Sequence, residues 1–429
     1  MAMKVTALSL MVLTVATVAC LAVSARADEL ADGAACSCSL FERETLTDNW
    51  FGLGEELNNR GIAIGLFATQ VYQQNIHGGL STHRRSGRYA GSYNLELEFD
   101  LETMLNLAGG SITVEAEGSW SEGIDGPAVG SLFGVNDDAG GYRSMDVTQL
   151  YYEQSLLEGA LRIRIGKLNL TGGFECRGCP VAFDGNTFAN NETTQFLNGA
   201  FVNNPTIGFP EEGLGVVAYF QPSDCCYIAA GIADAQADAR ECGFATTFNG
   251  DHYFFYVLET GLAPQFPSAR GPLQGTYRVG LWYDPQPKDN LDGSGSESDD
   301  LGFYLSLCQL IWLENDAPQD TQGLALFARY GLADDKVNEL HYFYSLGCQY
   351  QGLLPCRDND VLGLAVAQGR LSSDASATAS RETAIELYYN IQIAPWLSLT
   401  PSLQYIANPG ADQSTDDATL LALRAQMAF

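Results

Sequence analysis

From about residue 60 to its end the chain repeats one pattern: apolar and polar residues alternate for about ten positions, a turn intervenes, and the alternation resumes. Tyr89, Tyr93, Leu95, Leu97 and Phe99 alternate with Arg88, Ser92, Asn94, Glu96 and Glu98; Leu397, Leu399, Leu403 and Tyr405 alternate with Ser398, Thr400, Ser402 and Gln404. A period of two puts successive side chains on opposite faces of a strand. Strands of a soluble sandwich alternate too, but they usually stop after about five or six residues and keep their inner face dry. These segments run roughly twice as long, the length a tilted strand needs to cross the apolar layer of a bilayer. One face carries charges as closely spaced as Glu96 and Glu98, or Arg162 and Arg164. A closed barrel with lipid outside and water inside reconciles the two faces.

The pattern predicts sixteen strands, near 61–75, 88–100, 111–121, 146–155, 160–168, 213–220, 225–233, 252–261, 274–284, 299–313, 322–332, 339–353, 360–371, 380–393, 396–407 and 418–429. The count is even, as bacterial single-chain barrels require. The expected fold class is all-β, a transmembrane antiparallel 16-stranded barrel over 61–429. Tight linkers at Leu156–Gly159, Gln221–Asp224 and Ala394–Pro395 read as periplasmic turns. Longer ones at Glu122–Met145, Asn169–Glu212, Gln286–Ser298 and Pro409–Asp417 read as outer loops. The linkers near Pro264–Pro272 and Glu314–Thr321 are long for inner turns. Asn169–Gly213 is too long for a passive connection and is expected to fold into the barrel, most of its Phe residues (174, 183, 188, 196, 201, 209) packing against the wall.

Ahead of the barrel, Lys4, the uncharged run Val5–Val23 and Ala25-Arg26-Ala27 predict a cleaved signal peptide over 1–27 and hence export. No other apolar run approaches the length of a membrane helix, which excludes a helical bundle. Residues 28–60 read as a periplasmic segment with a short helix, capped by Asp48, showing Trp50, Leu53 and Leu57 on one face and ending at Gly61. With 52 acidic against 22 basic residues the net charge is −30, which argues against nucleic acid as a partner.

Several blocks carry a family likeness. The most specific is the C-terminal one, Glu382–Asn390 followed by Pro395-Trp396 and Pro401–Gly410. Others are Gly323–Asp334, Tyr350–Gly352 with Arg357–Asp360, Arg164–Asn169, Leu46–Leu53 and Asn75–Gly79. Together they make the mature chain resemble the carbohydrate-selective porins of the OprB type. The resemblance implies a sixteen-stranded barrel in the Gram-negative outer membrane that admits small sugars by diffusion, with no cofactor and no enzymatic activity. Phe429 as last residue fits the aromatic end that the barrel assembly machinery reads. A homotrimer is the assembly suggested by analogy with other sixteen-stranded porins. Ten mature cysteines and the strong acidity depart from the family pattern.

A sugar offers hydroxyls around apolar ring faces, so a selective channel needs charged donors and acceptors beside an aromatic surface. Strand parity puts Glu96, Glu98, Glu115, Glu117, Arg162 and Arg164 on the wet face, with Arg278, Trp282, Arg329, Glu386 and Arg424 facing inward elsewhere. The set is read as a mixed-charge eyelet, with Arg162, Arg164, Arg278 and Trp282 expected to touch sugar; a wall charged only for wetting is the alternative. Acidic pairs such as Asp137/Asp138 and Asp416/Asp417 are assigned to screened outer loops. A general or cation-preferring porin is the competing function.

In an oxidising compartment disulfides are the default, so Cys348 and Cys356 are expected to staple a turn, with Cys176, Cys179, Cys225 and Cys226 as further candidates. No metal site is expected: Cys176–Cys179 has no second CxxC or nearby His, and Asn290–Leu301 lacks the Glu that closes a calcium loop. A hydrolase would need His252 or His341 to meet a Ser on adjacent inward positions, and parity does not converge them.

Overall fold

The computed structural model describes residues 40–83, 86–175, 196–238, 245–248, 252–316 and 322–429. Sixteen long strands close into one antiparallel barrel: β1 (Ile62–Gly79), β2 (Gly87–Asp100), β3 (Gly110–Trp120), β4 (Arg143–Leu156), β5 (Leu161–Leu168), β6 (Gly213–Ser223), β7 (Cys226–Asp234), β8 (Phe254–Leu262), β9 (Gly271–Asp284), β10 (Asp300–Leu313), β11 (Gly323–Ala333), β12 (Leu340–Gln351), β13 (Val361–Leu371), β14 (Arg381–Ala394), β15 (Leu397–Ala407) and β16 (Asp416–Ala428). Each expected strand overlaps one of these. β16 returns to β1, from Phe67 opposite Ala428 to Asn75 opposite Leu420, so no edge is left to aggregate or to face lipid unpaired. The long 264–272 linker is itself structured: Gln265–Ser268 pairs with the start of β9 and extends that hairpin.

The exposure pattern inverts that of a soluble protein. Val216, Phe220, Ile228, Leu258, Leu281, Leu305, Leu346, Leu364, Leu387 and Leu403 stand exposed on the outside of β6–β10 and β12–β15. Gln73, Glu259, Arg278, Arg329, Gln349, Glu386, Thr400 and Arg424 are buried on the inside. Water could not sustain so large an apolar exterior; hydrocarbon does.

The short helix forms at Leu53–Asn58, with Gly52 rather than Asp48 as its cap. Asp48–Phe51 make a left-handed turn instead, φ running from 54° to 58°. Side chains hold that conformation, the Thr45 and Thr47 hydroxyls accepting from the Asn49 and Trp50 amides at 2.8 and 3.0 Å. The segment lies against the β1–β16 seam, Leu46 N donating to Ala428 O at 2.9 Å and Trp50 Nε1 to Ile64 O at 3.3 Å.

Part of the lumen is filled. The β3–β4 connection folds inward and packs Ile124, Ala128, Val129 and Val135, with Phe196 and Phe201 of the β5–β6 connection, against Phe327, Phe343, Tyr388 and Leu420 of the wall. A second cluster sets Leu170, Phe174 and Ile207 against Tyr219, Tyr227, Phe255, Trp282 and Tyr304. The expected inward fold of the β5–β6 connection is seen in its described portions, with Phe174, Phe196 and Phe201 buried; Phe183 and Phe188 lie outside the described residues.

Candidate functional site

The ladder registers carry one parity unbroken around the barrel. Glu96 lies opposite Glu115, Glu98 opposite Thr113, Glu153 opposite Arg164 and Ser155 opposite Arg162. Arg278 lies opposite Ser306, itself opposite Arg329. Trp282 lies opposite Gly302, Glu386 opposite Gln404, and Arg424 opposite both Thr400 and Val71. All eleven residues expected on the inner face have inward parity, but their surroundings divide them into two groups.

Arg278, Trp282, Arg329, Glu386 and Arg424 lie beneath the inward-folded connections. Glu386, 0% exposed, accepts from Leu197 N at 3.0 Å, Asn198 N at 2.9 Å and the Ser402 hydroxyl at 2.7 Å. Arg329 pairs with Glu175 (Nε–Oε1 3.1 Å) and donates to Phe201 O at 2.8 Å; Arg278 donates to Glu175 O at 3.1 Å. Arg424 Nη1 stands 3.5 Å from Asp138 Oδ2. Two residues outside the expected set work the same way. Glu259 accepts from the Glu175 amide at 2.7 Å and from the Tyr304 hydroxyl at 2.7 Å. Glu382 accepts from Leu132 N at 2.9 Å and Gly410 N at 2.7 Å. In the same connection, burial pushes the Asp125 carboxyl up, against the pull of the Ser131 and Gly130 amides. These charged wall groups satisfy backbone donors and acceptors that the folded-in chain takes out of water.

Trp282 is the clearest departure from expectation. Its ring is 1% exposed and lies flat along β10, where a Cβ on Gly302 would stand 2.3 Å from it. Phe255 stacks on it at 5.9 Å, and Gly208 of the β5–β6 connection approaches its far edge. A permeating sugar therefore has no open face of this ring to stack on, and the Arg278 guanidinium is committed to Glu175.

Glu96, Glu98, Glu115, Glu117, Arg162 and Arg164 occupy the open side. Glu115 is held by Asn94 at 2.6 Å and by Gln149, while Arg164 pairs with Glu153 at 2.6 Å and sits over the Tyr151 ring at 4.7 Å. A cavity of about 510 Å³ opens beside Glu117. It is lined from the wall by Thr69, Ser92, Asn94, Ser119, Asn390, Ser398 and Gln426, and from the folded-in connection by Asp137 and Asp138. Arg143, opposite Ser119 at the start of β4, reaches the same space. Among the described residues neither Arg143 nor Arg162 has an ion-pair partner.

Asp137 and Asp138, assigned from the sequence to a screened outer loop, thus stand at the narrowed lumen. The missed signal was in the sequence: Ile124, Ala128-Val129, Phe133 and Val135 are too apolar for a solvated connection.

The expected thiol staple does not form: Cys348 and Cys356 are both free, as are Cys225 and Cys226. Inward parity on β12 belongs to Phe343, Ser345 and Gln349, so Cys348 points to lipid while Cys356 sits exposed in the turn. Cys176 and Cys179 lie outside the described residues.

The sequence model of the OprB carbohydrate-selective porin family matches residues 84–429. Porin B of Pseudomonas aeruginosa is 25% identical over 421 residues, covering 89% of this chain and 90% of that protein. The putative porin QuiX of Acinetobacter baylyi is 21% identical over 432 residues, 90% of this chain and 94% of its own. The high-pH structure of Pseudomonas putida OprB superposes with a TM-score of 0.79 at 20% identity, over 92% of this chain and all of that one.

Proposed function

The chain belongs to the OprB family of carbohydrate-selective porins, and on that premise we propose that it sorts its permeants at the polar cavity between the folded-in β3–β4 connection and the β1–β3 wall. It is a sugar-selective channel of the Gram-negative outer membrane, a conduit rather than an enzyme. The observation that carries the finer reading is the lining of that cavity: Glu117, Asp137, Asp138 and Arg143 stand among hydroxyl and amide side chains, with Arg424 behind Asp138. Charged acceptors and a donor of this kind bind hydroxyls while leaving them exchangeable with water. Glu96, Glu98, Glu115, Arg162 and Arg164 form the approach along β2, β3 and β5. Arg278, Trp282, Arg329, Glu386 and Arg424 act indirectly, by holding the connections that narrow the path.

Liposome swelling with sugars of graded size, beside neutral and charged solutes of matched size, tests the reading. Sugars should enter faster than size-matched neutral non-sugars, and equal rates would leave a general porin. Three carboxylates, Glu117, Asp137 and Asp138, against the guanidinium groups of Arg143 and Arg424 also favour a second property, preference for cations over anions, which a reversal potential in a salt gradient would measure.

The apolar exterior supports lipid as the outer partner, and Phe429, whose amide donates to Leu66 O at 2.9 Å, is the residue proposed for the assembly machinery. Export through a cleaved 1–27 segment and a homotrimer complete the proposal, to be read from the N-terminal sequence and the mass in detergent.

A further inference from the structure

Among the described residues, the aromatics of the inner wall are covered, with one exception. Tyr219, Tyr227, Trp282, Tyr304, Phe343 and Tyr388 are each at most 3% exposed. Phe67 is 42% exposed and lies opposite Asn94 with inward parity, in a register that runs unshifted from Ile62 to Gln74. It lines the same cavity as Thr69, Ser92, Asn94 and Gln426. No described ring stacks on it. Along β1 it precedes by four residues Val71, the partner of Arg424, so it lies about 13 Å to the periplasmic side of the Asp138–Arg424 pair.

An exposed flat ring bordered by hydroxyls and amides matches one permeant chemistry. A pyranose presents a patch of C–H groups on its ring face and hydroxyls around its rim. The patch can leave water against the aromatic face while the rim reaches Thr69, Ser92, Asn94 and Gln426. An acyclic hexitol carries as many hydroxyls but has no flat C–H face. We propose that Phe67 is a stacking platform that makes the channel prefer pyranose rings to linear polyols. The inference rests on the sugar path proposed above.

The test uses the full protein in planar bilayers, with sugar block of the ion current titrated for glucose and for sorbitol. Phe67→Ala should raise the half-blocking glucose concentration about fivefold and leave sorbitol where it was. Phe67→Trp should keep the glucose value near that of the parent, and Phe67→Leu should behave like the alanine variant. Equal shifts for both solutes in Phe67→Ala, or full glucose block in Phe67→Leu, overturn the platform. Parent block by glucose that is unchanged in Phe67→Ala overturns the platform alone. Absence of sugar block in the parent overturns the sugar path and the platform with it.

Discussion

Replacing Glu386 by Ala should open the channel although Glu386 never meets the permeant. The carboxylate accepts from the Leu197 and Asn198 amides and from Ser402, all in a fully buried site. A hydrogen bond to a charged group contributes about 1.5–3 kcal/mol, and an amide left buried without an acceptor costs about 1–3 kcal/mol. Losing both amide bonds therefore weakens docking of the 196–202 turn by roughly 3–6 kcal/mol, enough to shift a docked turn toward an undocked one by two to four orders of magnitude. Phe196 and Phe201 would lose their place against Phe327 and Tyr388, and the lumen would widen. Single-channel recording should show larger and noisier conductance, and liposomes should admit larger oligosaccharides. Glu386→Gln keeps one acceptor oxygen but turns an amino group toward an amide, so it should give an intermediate effect. If Glu386→Ala still runs as a folded barrel in the gel but leaves conductance and size limit unchanged, the docking argument is wrong.

Trp282→Ala should leave sugar block nearly unchanged and lower barrel stability by about 3–5 kcal/mol, because the ring fills a wall site under Gly208; loss of block with unchanged stability would return the residue to the sugar path. Maleimide without reductant should label the exposed thiols of Cys225 and Cys356 in the folded protein, and labelling that appears only after reduction would mean that they are oxidised. Hydrogen bonds from the Ser414 amide and hydroxyl, with Thr378 and Thr415 adding to them, hold the Asp412 carboxyl down at about 2 against an ordinary 3.8. A depressed carboxyl stabilises its loop above its unfolded value, and that contribution is lost as pH falls through about 2. Protection of the 408–415 amides, measured against their intrinsic exchange rates, should accordingly stay high at about pH 5 and fall toward about pH 2, whereas Asp412→Asn should be low at both; matching profiles for parent and variant would remove the linkage.

Parity is a local property, which is why the barrel was legible in the sequence. Each side chain's face follows from its neighbours two positions away, so Leu95/Glu96 or Leu387/Glu386 suffices to assign inside and outside. The same alternation located all sixteen strands, and the placement of Glu96, Glu117, Arg164, Arg278 and Arg424 on the inner face came with it. Parity does not say what lies over an inward side chain. That depends on contacts between distant segments: Glu386 is 189 positions from Leu197, and Glu382 is 251 from Ser131. The cost of closing such loops is repaid only in the assembled lumen, where folded-in backbone needs buried charges for its amides and carbonyls. The tertiary structure alone therefore decided that Arg278 and Trp282 secure a connection and that Glu382 and Glu386 hold folded-in amides. Depth and cover are global quantities, and a strand's alternation carries no trace of them.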